Sequence, residues 1–230
     1  MFFKRISENQ KASILSIDKQ IQGWRKANRK MRWDIHNEDF ERIPPPPQLT
    51  ATDQKDSFSG VILCYGFGND GSGNSDSVLS GKLAWEYACR RRKPKTWQCQ
   101  YIDFNKSDNI RLRPGAPPRP RGFYNAKIQT GKKFLSLTVS KLRTIFNAET
   151  GCGPEGIQFL TITHPHFPIL MNARKFPFMA FADYDVAPYG FNDFFDAVQM
   201  FCSIDTLGLG IGNVDRNYPQ FGIPTIRFAD

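Results

Sequence analysis

Two short runs in the second half of the chain carry residue types able to do chemistry. Thr163-His164-Pro165-His166-Phe167 sets two imidazoles one residue apart, and Ala182-Asp183-Tyr184-Asp185-Val186 does the same with two carboxylates. If a strand ends at each run, His164, His166, Asp183 and Asp185 supply the nitrogen and oxygen donors of a divalent-metal site. Neither spacing is specific, because Pro165 makes the first run equally a turn and polar residues commonly cap strands. No GxSxG, no HExxH and no Cys/His nucleophile pairing accompanies them.

A second candidate is the glycine-rich stretch GFGNDGSGNSD, which follows the apolar run GVILCY and opens a helical pattern. A phosphate loop is disfavoured there. The dinucleotide fingerprint is absent, no GKS or GKT follows, and Asp70 and Asp76 would repel an anion. A calcium loop fails as well, since Ser75 stands where the sharp turn needs glycine and Gly81 where the bidentate acid belongs. The stretch therefore reads as a strand-to-helix joint, capped by Ser75, Asp76 or Ser77.

Charge is the stronger signal. The net charge is +9, and it is concentrated. Residues 1–35 hold nine cations (Lys4, Arg5, Lys11, Lys19, Arg25, Lys26, Arg29, Lys30, Arg32) against three acids. Residues 89–122 hold ten against two, including Arg90, Arg91, Arg92, Lys93, Lys95, Arg111, Arg113, Arg119 and Arg121. From residue 123 onward the signs balance. Two cationic segments interleaved with Trp24, Trp33, Trp97, Tyr101, Phe104 and Tyr124 suit a polyanion, either nucleic acid or an anionic membrane. A merely solvated surface is the plainer alternative. The five cysteines form no CxxC pair and read as reduced cytosolic thiols, and the apolar runs are too short to cross a bilayer.

The elements that must position these residues follow from periodicity and breakers. Ile14, Ile17, Ile21 and Trp24 recur at helical spacing, with Lys11, Lys19, Arg25 and Lys26 off that stripe. This predicts a basic amphipathic helix that either lies on a membrane or docks on the protein's own core. Pro44, Pro45, Pro46 and Pro47 then interrupt regular structure as a stiff spacer, or as a ligand for WW- or SH3-type domains. That boundary divides the chain into a basic arm with its linker, 1–49, and a globular core, 50–230. With the arm so separated, Trp24→Ala is expected to weaken membrane contact and leave the core folded. Strands are expected at 59–67, 96–104, 156–163, within 175–186 and at the end in FGIPTIRF. A helix is expected at 77–89, and residues 133–146 are ambiguous. RLRPGAPPRPRG (111–122) reads as an exposed connection whose arginines are free to bind. Residues 191–201 read as a helix with Phe191, Phe194, Phe195, Val198 and Phe201 on one side, so Phe194→Ala or Phe201→Ala is expected to cost about 3–5 kcal/mol if buried. The fold class is α+β, a single domain with a mostly antiparallel sheet and a few helices.

The order of a basic arm, a proline cluster, strand SGVILCYGF, a helix opening at Ser75-Asp76 with Trp85 at its centre, RRRKPK and strand TWQCQYIDF resembles the matrix proteins of rhabdoviruses. GIQFLTIT resembles that family's central strand and FNDFFDAVQMF its C-terminal helix. The likeness covers about half the chain. It implies a non-enzymatic assembly protein, without a cofactor, that binds and condenses the viral nucleoprotein–RNA complex, contacts anionic membrane lipids, self-associates and promotes budding. Its place would be the virion, the host cytoplasm and the inner face of the host plasma membrane. Host budding factors are implied partners through the proline run, although Pro44–Pro47 lack the tyrosine of the family's PPxY motif. The other readings are a metal-dependent α/β enzyme using the His/Asp residues and a cellular basic RNA-binding protein, the latter without an RRM, KH or zinc-finger pattern.

Overall fold

The computed structural model describes residues 13–68, 71–91, 95–106, 109–146, 149–172, 177–187, 196–203 and 206–228. Its first element answers how the basic segment is used. Helix α1 (Ile17–Met31) turns Gln20, Trp24 and Ala27 inward, packs Ile14, Ile17, Ile21 and Met31 along the same side, and exposes its cations. It ends at Arg32, whose left-handed backbone (φ 56°) lets its N–H reach the Asn28 carbonyl at 2.7 Å.

The described part of the expected arm is therefore built into the core. After α1, two single-turn helices, α2 (Asn37–Glu41) and α3 (Ala51–Lys55), lead to strand β1 (Gly60–Gly66). The proline run between them is tied down, because the Asn125 side-chain amide donates to the carbonyls of Pro44 (2.8 Å) and Pro45 (3.3 Å).

Strand β1, the helix α4 (Ser77–Cys89) and strand β6 (Phe178–Val186) lie where their patterns placed them. Asp76 caps α4, its Oδ1 accepting the Leu79 N–H at 2.9 Å, so the glycine-rich stretch joins strand to helix. Strand β2 (Lys95–Gln98) is shorter than expected and gives way to turns. Strands β3 (Ile110–Leu112) and β4 (Gly122–Gln129) flank the proline-rich loop. Residues 132–134 form a 3-10 turn, and α5 (Val139–Thr144) makes the ambiguous segment helical after its start.

Two expectations are overturned. GIQFLTIT is helical: α6 (Pro154–Gln158) runs into a π-helical turn at Phe159–Thr163, and every residue of both is buried. A segment buried on all sides does not announce its period, and here Pro154 at the first helical position starts a helix. The short helix α7 (Phe167–Asn172) follows. The expected helix over 191–201 is also replaced, since residues 196–203 form strand β7 (Asp196–Ser203), while Phe191, Phe194 and Phe195 lie outside the described residues. Val198, Met200 and Cys202 point into the core, and Phe201 is only partly buried.

Strands β5 (Thr150–Gly151), β8 (Thr206–Asn213), β9 (Phe221–Gly222) and β10 (Thr225–Phe228) complete the set. They form two sheets, β1-β4-β10-β5 and β2-β8-β7-β6-β3, with β9 beside β6. Pairing is antiparallel except for β2 with β8 and β6 with β9, so the domain is α+β with antiparallel-dominated sheets. Among the described residues no helix is long and apolar enough to cross a membrane.

Among the described residues no strand neighbours the outer edge of β1. Helices cover it instead. Gln20 accepts the Leu63 N–H through Oε1 (2.7 Å) and donates to the Val61 carbonyl through Nε2 (2.9 Å), imitating a strand's ladder. Gln158 does the same for both backbone groups of Tyr65, at 3.1 and 2.8 Å. An exposed edge would invite pairing with another chain, and these glutamines close it. The helix also approaches its neighbours closely: a Cβ at Gly23 would stand 2.7 Å from the Ile162 carbonyl oxygen, so a larger residue would push α1 off the π-helical turn.

Candidate polyanion-binding surface

Because the apolar stripe of α1 is used up on β1 and the π-helical turn, its remaining faces present Lys19, Arg25, Lys26, Arg29, Lys30 and Arg32 to solvent. Among the described residues no carboxylate pairs with any of these six. Arg25 lies over the Phe40 ring at 4.4 Å, which orients its guanidinium without neutralising it.

The end of α1 meets the end of α4. Lys30 Nζ donates to the Arg90 carbonyl at 2.6 Å and lies 5.9 Å from the Tyr87 ring centre. Arg91 flanks the same ring at 6.0 Å and donates to the Thr161 carbonyl at 3.1 Å. These contacts bring the end of the first basic segment and the start of the second, sixty positions apart in sequence, onto one surface. Cations at two helix C-termini also complement the negative ends of the helix dipoles. Lys95 is exposed at the start of β2, whereas Lys4, Arg5, Lys11, Arg92 and Lys93 lie outside the described residues.

Other predicted site residues are not at this surface. Trp24, expected to insert into a membrane, is fully buried and donates through Nε1 to the Leu63 carbonyl at 2.9 Å. Arg119, expected to be free in an exposed loop, is buried at the centre of an ionic network. Its Nε meets Glu155 at 2.8 Å and its Nη2 meets Asp183 at 2.9 Å, with all three side chains fully buried. Arg113 bonds the other oxygen of Asp183 at 3.1 Å. Tyr124 donates to Glu155 at 2.8 Å and Thr150 to Asp183 at 2.6 Å. Burial alone would raise the Glu155 carboxyl, but the Arg119 charge and hydrogen bonds outweigh it and hold it below the ordinary value. Burial likewise raises the Cys64 and Cys152 thiols beside this network well above their ordinary value, which keeps both protonated. Arg111 in β3 and Arg121 just before β4 are exposed, and so are Pro45 and Pro46 in the proline run.

The four candidate metal ligands are dispersed into other work. His164 is fully buried against Phe159 and accepts the Leu15 N–H through Nε2 at 2.9 Å, which leaves Nδ1 to donate to Thr163 Oγ1. Burial pushes its pKa well below the ordinary histidine value, with His166 adding repulsion. Asp183 serves Arg119, Arg113 and Thr150, and Asp185 pairs with Arg143 at 2.7 Å. Among the described residues no group of three or more His, Cys, Asp or Glu stands together as a metal site. Carboxylates already saturated by arginine make poor ligands.

No protein-family model, curated protein or solved structure matched the chain.

Proposed function

We propose that this protein is a viral matrix-type assembly protein that binds the viral nucleoprotein–RNA complex and anionic lipid through the cationic surface of α1 and the end of α4. The observation that carries the reading is the Lys30–Arg90 contact, which joins two basic segments into one face, together with the absence of any described carboxylate pairing α1's cations. The proline run and self-association belong to the same reading, with Pro45 and Pro46 accessible to a budding factor.

The burial of the apolar stripe changes the expected mode of membrane contact. A helix that keeps Trp24 in the core inserts no such anchor, so binding rests on charge, about 1 kcal/mol for each Lys or Arg near an anionic surface. Flotation with phosphatidylserine vesicles, and co-sedimentation with purified viral nucleoprotein–RNA, test the reading on the full chain. Reversal of Lys19, Lys26 and Arg29 to Glu is expected to abolish both. Undiminished binding of that variant to both partners would overturn the reading.

A further inference from the structure

The sheet β2-β8-β7-β6 has two unlike faces. Thr96, Gln98, Leu207, Leu209, Val198 and Met200 alternate toward α4 and the core, so Lys95, Trp97, Gly208, Gly210, Gln199 and Phe201 belong to the opposite face. At its far end this face is covered by the 3-10 turn and α5, where Phe134, Val139 and Leu142 pack on Ala180, Ala182 and Ala197. At the β2 end it keeps Trp97 49 % exposed.

On that face the register aligns aromatic residues in a transverse row. Trp97 pairs with Gly208, Gly208 with Phe201, and Phe178 with Phe221. Ring centres step 5.9 Å from Trp97 to Phe201, 6.0 Å to Phe178, 5.3 Å to Phe221 and 5.9 Å to Tyr218. Gly208 is the floor that permits it, because a Cβ there would overlap the Phe201 ring. The row runs between cations, with Lys95 exposed on β2 at one end and the Arg216 guanidinium 5.4 Å from the Tyr218 ring at the other. In sequence, Lys95 is the last of five cations in RRRKPK. Among the described strand positions of the face between Trp97 and Phe178 there is no carboxylate.

An exposed indole at the end of an aromatic row, with a cation beside it and no carboxylate among the described strand positions between Trp97 and Phe178, matches the chemistry of an unpaired nucleotide, whose base stacks while its phosphate seeks positive charge. We propose that this face binds single-stranded nucleic acid, with a base stacked on Trp97 and a phosphate met by Lys95. The inference rests on the polyanion reading for its charge and deepens it by separating two ligands. Single strands go to the sheet, and vesicles go to α1.

Fluorescence anisotropy of the full chain with labelled oligo(U), oligo(dT) and an RNA duplex tests it. Trp97→Ala is expected to weaken single-strand binding about tenfold or more, to leave duplex binding unchanged, and to keep the slope of affinity against salt. Trp97→Phe, which retains a ring, is expected to lose less. The tighter of oligo(U) and oligo(dT) in wild type identifies RNA or DNA as the source. In wild type, oligonucleotide is also expected to quench tryptophan emission, and in Trp97→Phe that quenching disappears, a readout that holds if the alanine variant folds poorly. Single-strand affinity unchanged in Trp97→Ala, or lost only together with a change in sedimenting species, would overturn the inference; the second outcome makes the face a contact between copies. Vesicle binding by the α1 variant is read separately, so either idea can fail alone.

Discussion

Trp24 Nε1 donates to the Leu63 carbonyl at 2.9 Å, and the indole that does so is fully buried. This bond fastens the cationic helix to the edge strand, with Gln20 bonding the neighbouring Val61 and Leu63 groups. Trp24→Ala is therefore expected to cost about 3–5 kcal/mol, through lost burial and the cavity left among Trp33, Tyr65, Phe67 and Phe123. Urea denaturation followed by far-UV circular dichroism measures it. A loss below about 0.5 kcal/mol, the range of ordinary surface changes, would mean that α1 is a detachable arm after all.

Arg119 is held between two buried acids, Glu155 and Asp183. Removing it takes the counter-charge from Glu155 and leaves Asp183 with Arg113 alone. Arg119→Met is expected to destabilise by about 3–5 kcal/mol, because the fully buried Glu155 loses its compensating charge and Asp183 loses one of two. Arg119→Lys is expected to rescue only part, since one ammonium cannot reproduce the forked contacts to Glu155, Asp183, Gly151 and Pro117. Equal stability of Lys and Arg variants in thermal melts would contradict the geometry.

His164 introduces a pH dependence. Its folded pKa lies well below the ordinary histidine value of 6.5, and burial is the chief cause. The unfolded chain then binds a proton that the folded chain does not, so stability is full above about pH 6.5 and falls as pH drops toward the lowered value. His166, also lowered by burial, faces His164 at 5.8 Å and acts in the same direction. Protonating Nε2 would also break the bond from Leu15 N–H and release the segment leading into α1. The urea midpoint is expected to fall between about pH 7.5 and pH 5.5, and His164→Gln, which has an acceptor but no titration, to flatten that fall. An equally steep fall in the glutamine variant would assign it to other groups.

Elements with a clean local period were legible, and those whose period is hidden were not. Strand β1, the capped helix α4 and strand β6 carried apolar runs with turn or cap signals at their ends. GIQFLTIT is buried along its whole length, so its side chains mark neither a strand's period nor a helix's, and it fitted both equally. Strand β8 escaped notice because Gly208, Gly210 and Gly212 alternate with Leu207, Leu209 and Ile211, so one face has no side chains to show the period. In the sequence the spacing of Phe194, Val198 and Phe201 imitated a helix, whereas strand β7 puts Val198 and Phe201 on opposite faces. The cations of α1 were readable by type, but their union with α4 through Lys30 and Arg90 depends on tertiary packing. Arg119 and Trp24 look like surface binders in sequence, and long-range partners make them core.

The salt dependence of vesicle binding tests the central claim most directly. Wild-type protein is expected to float with phosphatidylserine vesicles at low ionic strength and to detach as salt approaches about 1 M, where the Debye length shrinks to about 3 Å. The variant with Lys19, Lys26 and Arg29 changed to Glu is expected to remain folded and to stay unbound throughout. Wild-type protein that stays bound at about 1 M salt, or a charge-reversed variant that floats as wild type does, would contradict an electrostatic role for α1.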